Sequence, residues 1–142
     1  MEPRVTVVTL GVADLARARA FYLDGLGWRA AAGSNEHITF IDAGGIVLAL
    51  FGRAALAEDA HVDAAGHGFR GVTLAHNVRS REAVDATLAD TVRTDATLLK
   101  PAQEVFWDGY SGYFADPDGH AWEVAHNPFW ELDEAGRVHL GA

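Results

Sequence analysis

Glu123 is the residue with the plainest chemical potential. It stands in Ala121-Trp122-Glu123-Val124-Ala125, an acid set among apolar neighbours. A carboxylate drawn out of water in such a place either pairs with a cation or serves as a general base. The remaining chemistry is sparse. With no cysteine the chain has no thiol nucleophile, zinc–thiolate site or disulfide. It has no Gly-x-Ser-x-Gly elbow, no phosphate loop and no His-Glu-x-x-His. Gly109-Tyr110-Ser111-Gly112 offers a serine, but no base can be assigned to it, and a polar turn before a strand accounts for it. Aromatic residues cluster in Phe106-Trp107-Asp108-Gly109-Tyr110 and again at Phe129-Trp130. Trp107 and Tyr110 fall in a connection, where large rings either stack on a planar ligand or cover the fold end or an interface between copies.

The composition bounds what these groups can meet. The 142 residues fit one ordinary domain, residues 1–142, long enough to bury a core without staples. Hydrophobic residues make up 49% and charged ones 22%, which argues against disorder. Eleven basic against 20 acidic side chains leave a net charge of −9. That surface repels phosphate backbones, so nucleic acid is not an expected partner. It suits cationic ligands, although acidity also serves solubility. No apolar run reaches the length of a membrane span. Met1-Glu2-Pro3-Arg4 leads straight into an apolar stretch without signal-peptide features, so the expected mature protein is the whole chain, in the cytoplasm.

The scaffold is written twice. Val8-Thr9-Leu10 recurs as Val72-Thr73-Leu74, 64 positions later. Each copy lies in a β-branched stretch, 5–12 and 71–78, that reads as a strand. Asp14 can cap a helix over 15–22, and Ser80 one over 81–92. Gly25 or Gly27 can end the first in a left-handed conformation. Extended runs follow each helix: 28–32, 37–41 and 46–51, then 97–100, 112–115 and 121–126. Asp42-Ala43-Gly44-Gly45 and Asp116-Pro117-Asp118-Gly119 read as turns. Each half is therefore β-α-β-β-β, with module one at about 5–51, a linker at about 52–68, module two at about 69–127 and a tail at 128–142. The class is α+β. A curved sheet with a helix on one face needs a partner for the other, so two βαβββ modules with curved mixed sheets are expected to enclose a cleft, the default binding site.

With those elements in place, the chain resembles the vicinal oxygen chelate superfamily of glyoxalases, bleomycin resistance proteins, extradiol dioxygenases and fosfomycin resistance enzymes. The resemblance rests on the paired modules, the opening Val8-Thr9-Leu10-Gly11-Val12-Ala13-Asp14-Leu15, the Phe21-Tyr22…Leu26-Gly27 helix end, and Phe114-Ala115-Asp116-Pro117-Asp118-Gly119-His120-Ala121-Trp122-Glu123. It spans about residues 5 to 127. It implies a divalent metal held by two residues from each module, at positions that fall here on Val7, Ala49, Gly71 and Glu123. Only Glu123 can ligate, so no metal and no cofactor is expected.

Strand alternation fills in the expected cleft: Val5, Val7, Thr9, Val47, Ala49, Phe51, Gly71, Thr73 and Glu123, with Trp107 and Tyr110 at its mouth. The same alternation turns His76, His120 and His126 away from it. His37 and His61 lie near turns or in the linker, and His67 precedes its strand. His139 lies in the tail. Two functions follow from the resemblance. One is a metal-free binder, bleomycin-resistance-like, that sequesters an aromatic and cationic small molecule. The other is an enzyme: a glyoxalase- or dioxygenase-like catalyst with unusual ligands, or a cofactor-free isomerase or cyclase with Glu123 as its catalytic base. A homodimer is expected, because the superfamily commonly pairs and the sheets leave exposed edges.

Overall fold

The computed structural model describes residues 1–140. The chain divides into two compact units, residues 1–70 and 71–142, each built on its own sheet. No helix among the described residues is long and apolar enough to cross a membrane.

In the first unit β1 (Val7–Val12) leads into α1 (Leu15–Arg19), which relaxes into a π-helical stretch, Ala20–Gly25. Asp14 starts the helix: its backbone is extended and its carboxylate accepts the Arg17 N–H at 3.1 Å. Gly27, at φ +73°, lets the chain leave it. Then come β2 (Ile38–Asp42), β3 (Val47–Gly52) and α2 (Arg53–Asp59). The strand order is β1-β3-β2, with β1 parallel to β3 and β2 antiparallel to it. The β2–β3 turn forms as its sequence suggests, with Asp42 Oδ1 accepting the Gly44 N–H at 3.0 Å. Register sets Leu10, Leu48, Leu50 and Ile41 on one face, and all are buried, as are Ala18, Phe21 and Tyr22. Each large side chain so buried contributes roughly 1.5–3 kcal/mol against the entropy of folding.

Two expectations for this unit need correction. The strand at 28–32 shrinks to a single bridge, Ala30 to Ile41. The supposed linker holds α2, whose Ala-Ala-Leu-Ala-Glu core consists of strong helix formers. This helix lies against Gly11, where a Cβ would sit 3.3 Å from the Arg53 Cα.

The second unit runs β4 (Leu74–Asn77), α3 (Arg81–Val92), β5 (Thr97–Glu104), β6 (Tyr110–Ala115) and β7 (Ala121–His126). Its strand order is β4-β7-β6-β5, with β4 parallel to β7. The first unit follows the same scheme, first strand parallel beside last, so the repeat seen in sequence is a repeat of topology. Ser80 caps α3 through the Ala83 N–H at 3.1 Å. Val84, Leu88 and Thr91 are buried along the helix; Phe114 and Trp122, also buried, stack with ring centroids 6.2 Å apart. The tail adds a short hairpin, β8 (Glu131–Leu132) with β9 (Val138–His139), whose Leu132 carbonyl accepts from Arg79 at 2.8 Å.

β4 begins at Leu74 rather than residue 71, because Gly71 takes φ +78°, outside any strand. β5 is longer than expected and irregular. Its pairing with β6 slips by one residue between Leu98 and Lys100, and by another between Lys100 and Gln103. Each slip is a β-bulge on the outer strand of this sheet, one of them containing Pro101, which has no N–H to give to a ladder.

Candidate functional site

The bulges decide which side chains share a face. Residues three apart on a regular strand point to opposite sides, yet Lys100 lies opposite Tyr113 and Gln103 opposite Ser111. Tyr113 in turn faces Glu123 across β6 and β7, and Ser111 faces Ala125. The result is a continuous cross-strand row, Lys100–Tyr113–Glu123, with Gln103–Ser111 beside it. This floor and the β5–β6 connection, Val105, Phe106 and Trp107, line a pocket of about 330 Å³ contained within the second unit.

The connection is held tightly. Val105 N–H donates to the Gly109 carbonyl at 3.0 Å, and Asp108 N–H to the Val105 carbonyl at 3.0 Å. Asp108 takes φ +64°, a conformation its short polar side chain tolerates. Trp107 folds back over Gly109, where a Cβ would collide with the six-membered indole ring. Glycine there keeps the indole against the backbone as a wall of the pocket.

Charge is distributed along the floor. The Tyr113 phenol has its pKa raised above the usual 10, first by burial and then by the charge of the neighbouring Glu123 carboxylate. At neutral pH the phenol therefore stays protonated, facing Glu123 across the β6–β7 ladder. Lys100 Nζ lies 5.8 Å from the centroid of the same ring. Glu104 is turned to Arg81 at 2.5 Å. Ser111 is fully buried beneath the floor, and Glu123 is half-buried.

The structure gathers some of the expected residues and separates others. Trp107 and Glu123 both line this pocket. Tyr110, expected beside Trp107, lies on the helix side instead: its hydroxyl donates to Asp85 of α3 at 2.9 Å, and the Arg81 guanidinium sits 5.5 Å over its ring. Val7, Thr9, Val47, Ala49 and Phe51 share one face of the first sheet by register, with Ala49 fully buried. Gly71 and Thr73 are exposed in the segment before β4. Tyr113, Lys100, Ser111 and Gln103 were not anticipated. Tyr113 could have been found by counting outward from the Asp116–His120 closure, which sets it opposite Glu123.

The histidines form no cluster. His76 is paired with Val124 on the helix side of β4, and burial of its ring lowers its pKa below 6.5 although the residue keeps some exposure. His120 Nδ1 lies 2.7 Å from the buried Asp116 carboxylate, and His126 Nδ1 lies 3.3 Å from the Val78 carbonyl. Among the described residues no three His, Asp or Glu side chains converge as a metal site would require.

The comparisons with known proteins agree on the fold. The model of one protein family, Glyoxalase/Bleomycin resistance protein/Dioxygenase superfamily, matches residues 4–124. No curated protein matches the chain. Among solved structures, a glyoxalase-related enzyme from Fulvimarina pelagi is 38% identical, covers 99% of both chains and superposes with a TM-score of 0.86. A glyoxalase/bleomycin resistance protein/dioxygenase from Nocardioides is 22% identical, over 99% of this chain and 91% of that one, at TM-score 0.73. A lactoylglutathione lyase from Agrobacterium tumefaciens is 23% identical, over 92% and 98%, at TM-score 0.67. The last two likenesses speak for the fold alone.

Proposed function

Because the chain belongs to the glyoxalase/bleomycin resistance protein/dioxygenase superfamily, whose members bind small molecules, we propose that it binds a planar aromatic cation in the pocket of the second unit and sequesters it without a metal ion. The observation that carries this reading is the pocket itself, with the Trp107 indole as one wall and the Tyr113–Glu123 pair on its floor. A ring can stack on Trp107 while a positive group meets Glu123, a contact worth roughly 1–2 kcal/mol for the aromatic part when desolvated. The divalent metal that the superfamily implies does not fit the residues present. Val7 and Ala49 offer only hydrocarbon, Gly71 offers no side chain, and Glu123 alone cannot supply a coordination shell.

The test compares 4-methylbenzylamine with neutral 4-methylbenzyl alcohol by calorimetry in a chelator. Glu123→Gln is expected to weaken the amine by about fivefold or more, leave the alcohol unchanged, and leave thermal stability equal or slightly higher. Equal loss for both probes, or binding that needs an added divalent ion, would contradict the proposal.

One observation favours a second reading. A carboxylate paired across the strands with a phenol in one pocket is also a base beside an acid, as a cofactor-free isomerase or cyclase would use. The 38% identical Fulvimarina pelagi protein is named an enzyme. Turnover in chelator that Glu123→Gln abolishes would favour this over sequestration. We further propose a cytoplasmic homodimer, which sedimentation at micromolar concentration tests by its mass.

A further inference from the structure

We propose that the pocket selects a ligand carrying both charges, with Lys100 reading an anionic group and Glu123 a cationic one. This deepens the binding reading above and rests on it. The two residues lie on adjacent-but-one strands, β5 and β7, about two strand spacings or roughly 10 Å apart at the backbone. Both are directed to one face because two bulges re-aim β5; without them Lys100 and Gln103 could not face the pocket together.

The two charges are not satisfied by each other. Neither Lys100 nor Glu123 makes an ion pair among the described residues, whereas Arg4, Arg81 and Arg93 each hold a carboxylate. Tyr113 stands between them in the cross-strand row, with its ring centroid 5.8 Å from the ammonium. Lys100 is half-buried, its ammonium lying beside that ring with no carboxylate in ion-pair range among the described residues. A ligand with a carboxylate at one end and an ammonium at the other supplies both missing partners at once. A monocation supplies one.

The probe is 4-(aminomethyl)benzoate, which carries both charges across a single ring, beside 4-methylbenzylamine and 4-methylbenzoate, each carrying one. Affinities are read by NMR titration of the full chain at low salt, where charge contacts are least screened. The doubly charged probe is expected to bind about tenfold tighter than the amine. Lys100→Met, which keeps the apolar stem but removes the charge, should erase that advantage, bringing the doubly charged probe to the affinity of the amine or below. Lys100→Arg should restore part of it. If the amine binds through Glu123 but the second charge adds nothing, or Lys100→Met keeps the advantage, this inference falls and the binding reading stands. If none of the three probes binds, both fall.

Discussion

Replacing Gly112 by alanine is expected to cost about 3 kcal/mol of stability, at the upper end of what overpacking a core usually costs. A Cβ at this position would lie 2.5 Å from Leu88 Cδ1, 2.8 Å from the Lys100 carbonyl oxygen and 2.9 Å from the Ala102 nitrogen. Leu88 is buried and has little room to move. The other two contacts are backbone, and relieving them means undoing the bulge around Pro101. Glycine is thus what lets the bulged strand pass close to β6. The melting temperature should fall by about 10 °C. Gly33→Ala, where a new Cβ meets only Phe40 at 3.8 Å, should change stability by no more than about 0.5 kcal/mol. A Gly112→Ala protein as stable as wild type would mean that β5 can retreat from β6 freely. Its bulges would then not be what aims Lys100.

Asp116→Ala should cost a similar amount, about 3–4 kcal/mol, for the opposite reason. It removes a buried acceptor from part-buried donors rather than adding bulk. Asp116 is 4% exposed; its Oδ1 accepts the Asp118 N–H at 3.0 Å and the His120 N–H at 2.8 Å, and its Oδ2 meets His120 Nδ1. Gly119, at φ +86°, completes the turn with its N–H on the Asp116 carbonyl at 2.9 Å. Alanine removes the acceptor that two part-buried backbone donors and the His120 imidazole share. Asp116→Asn keeps a carbonyl oxygen as acceptor and should recover part of the loss. Urea unfolding of the three proteins checks the order, and a loss below about 1 kcal/mol for alanine would show the turn to be set by its backbone alone. Because this turn fixes the register of β6 on β7, it also fixes Tyr113 opposite Glu123.

Those two positions show what was legible in sequence. The Asp-Pro-Asp-Gly turn, the Asp14 and Ser80 caps and the repeated Val-Thr-Leu announce themselves because each is a local device, readable within a few residues. That the two units share one element order followed from the repeat; the strand order within each sheet did not. The bulges did not, because alternation with period two presumes a regular strand, and nothing short of the Gly112 contact shows where β5 gains its extra residues. So Lys100 and Gln103 were not expected beside Glu123 and Trp107, with which they line one pocket. Tyr110 was misplaced because its segment read as a connection, when it is the first residue of β6 and its ring faces α3. The helix at Arg53–Asp59 was hidden by composition: an alanine- and acid-rich stretch reads as linker unless its helix propensity is weighed.

Both binding proposals require that a ligand bind in the Trp107–Tyr113–Glu123 pocket. The most direct measurement is a ¹⁵N NMR titration of the protein with 4-methylbenzylamine in a chelator, with the four tryptophan indole signals assigned by substitution. The expected result is a saturable shift of the Trp107 indole N–H together with the amides of Lys100, Tyr113 and Glu123. Trp122, buried on the opposite face of the same sheet, and Trp28, in the first unit, should stay unmoved. Shifts confined to residues outside the pocket, or shifts that appear only when a divalent metal is added, would contradict it.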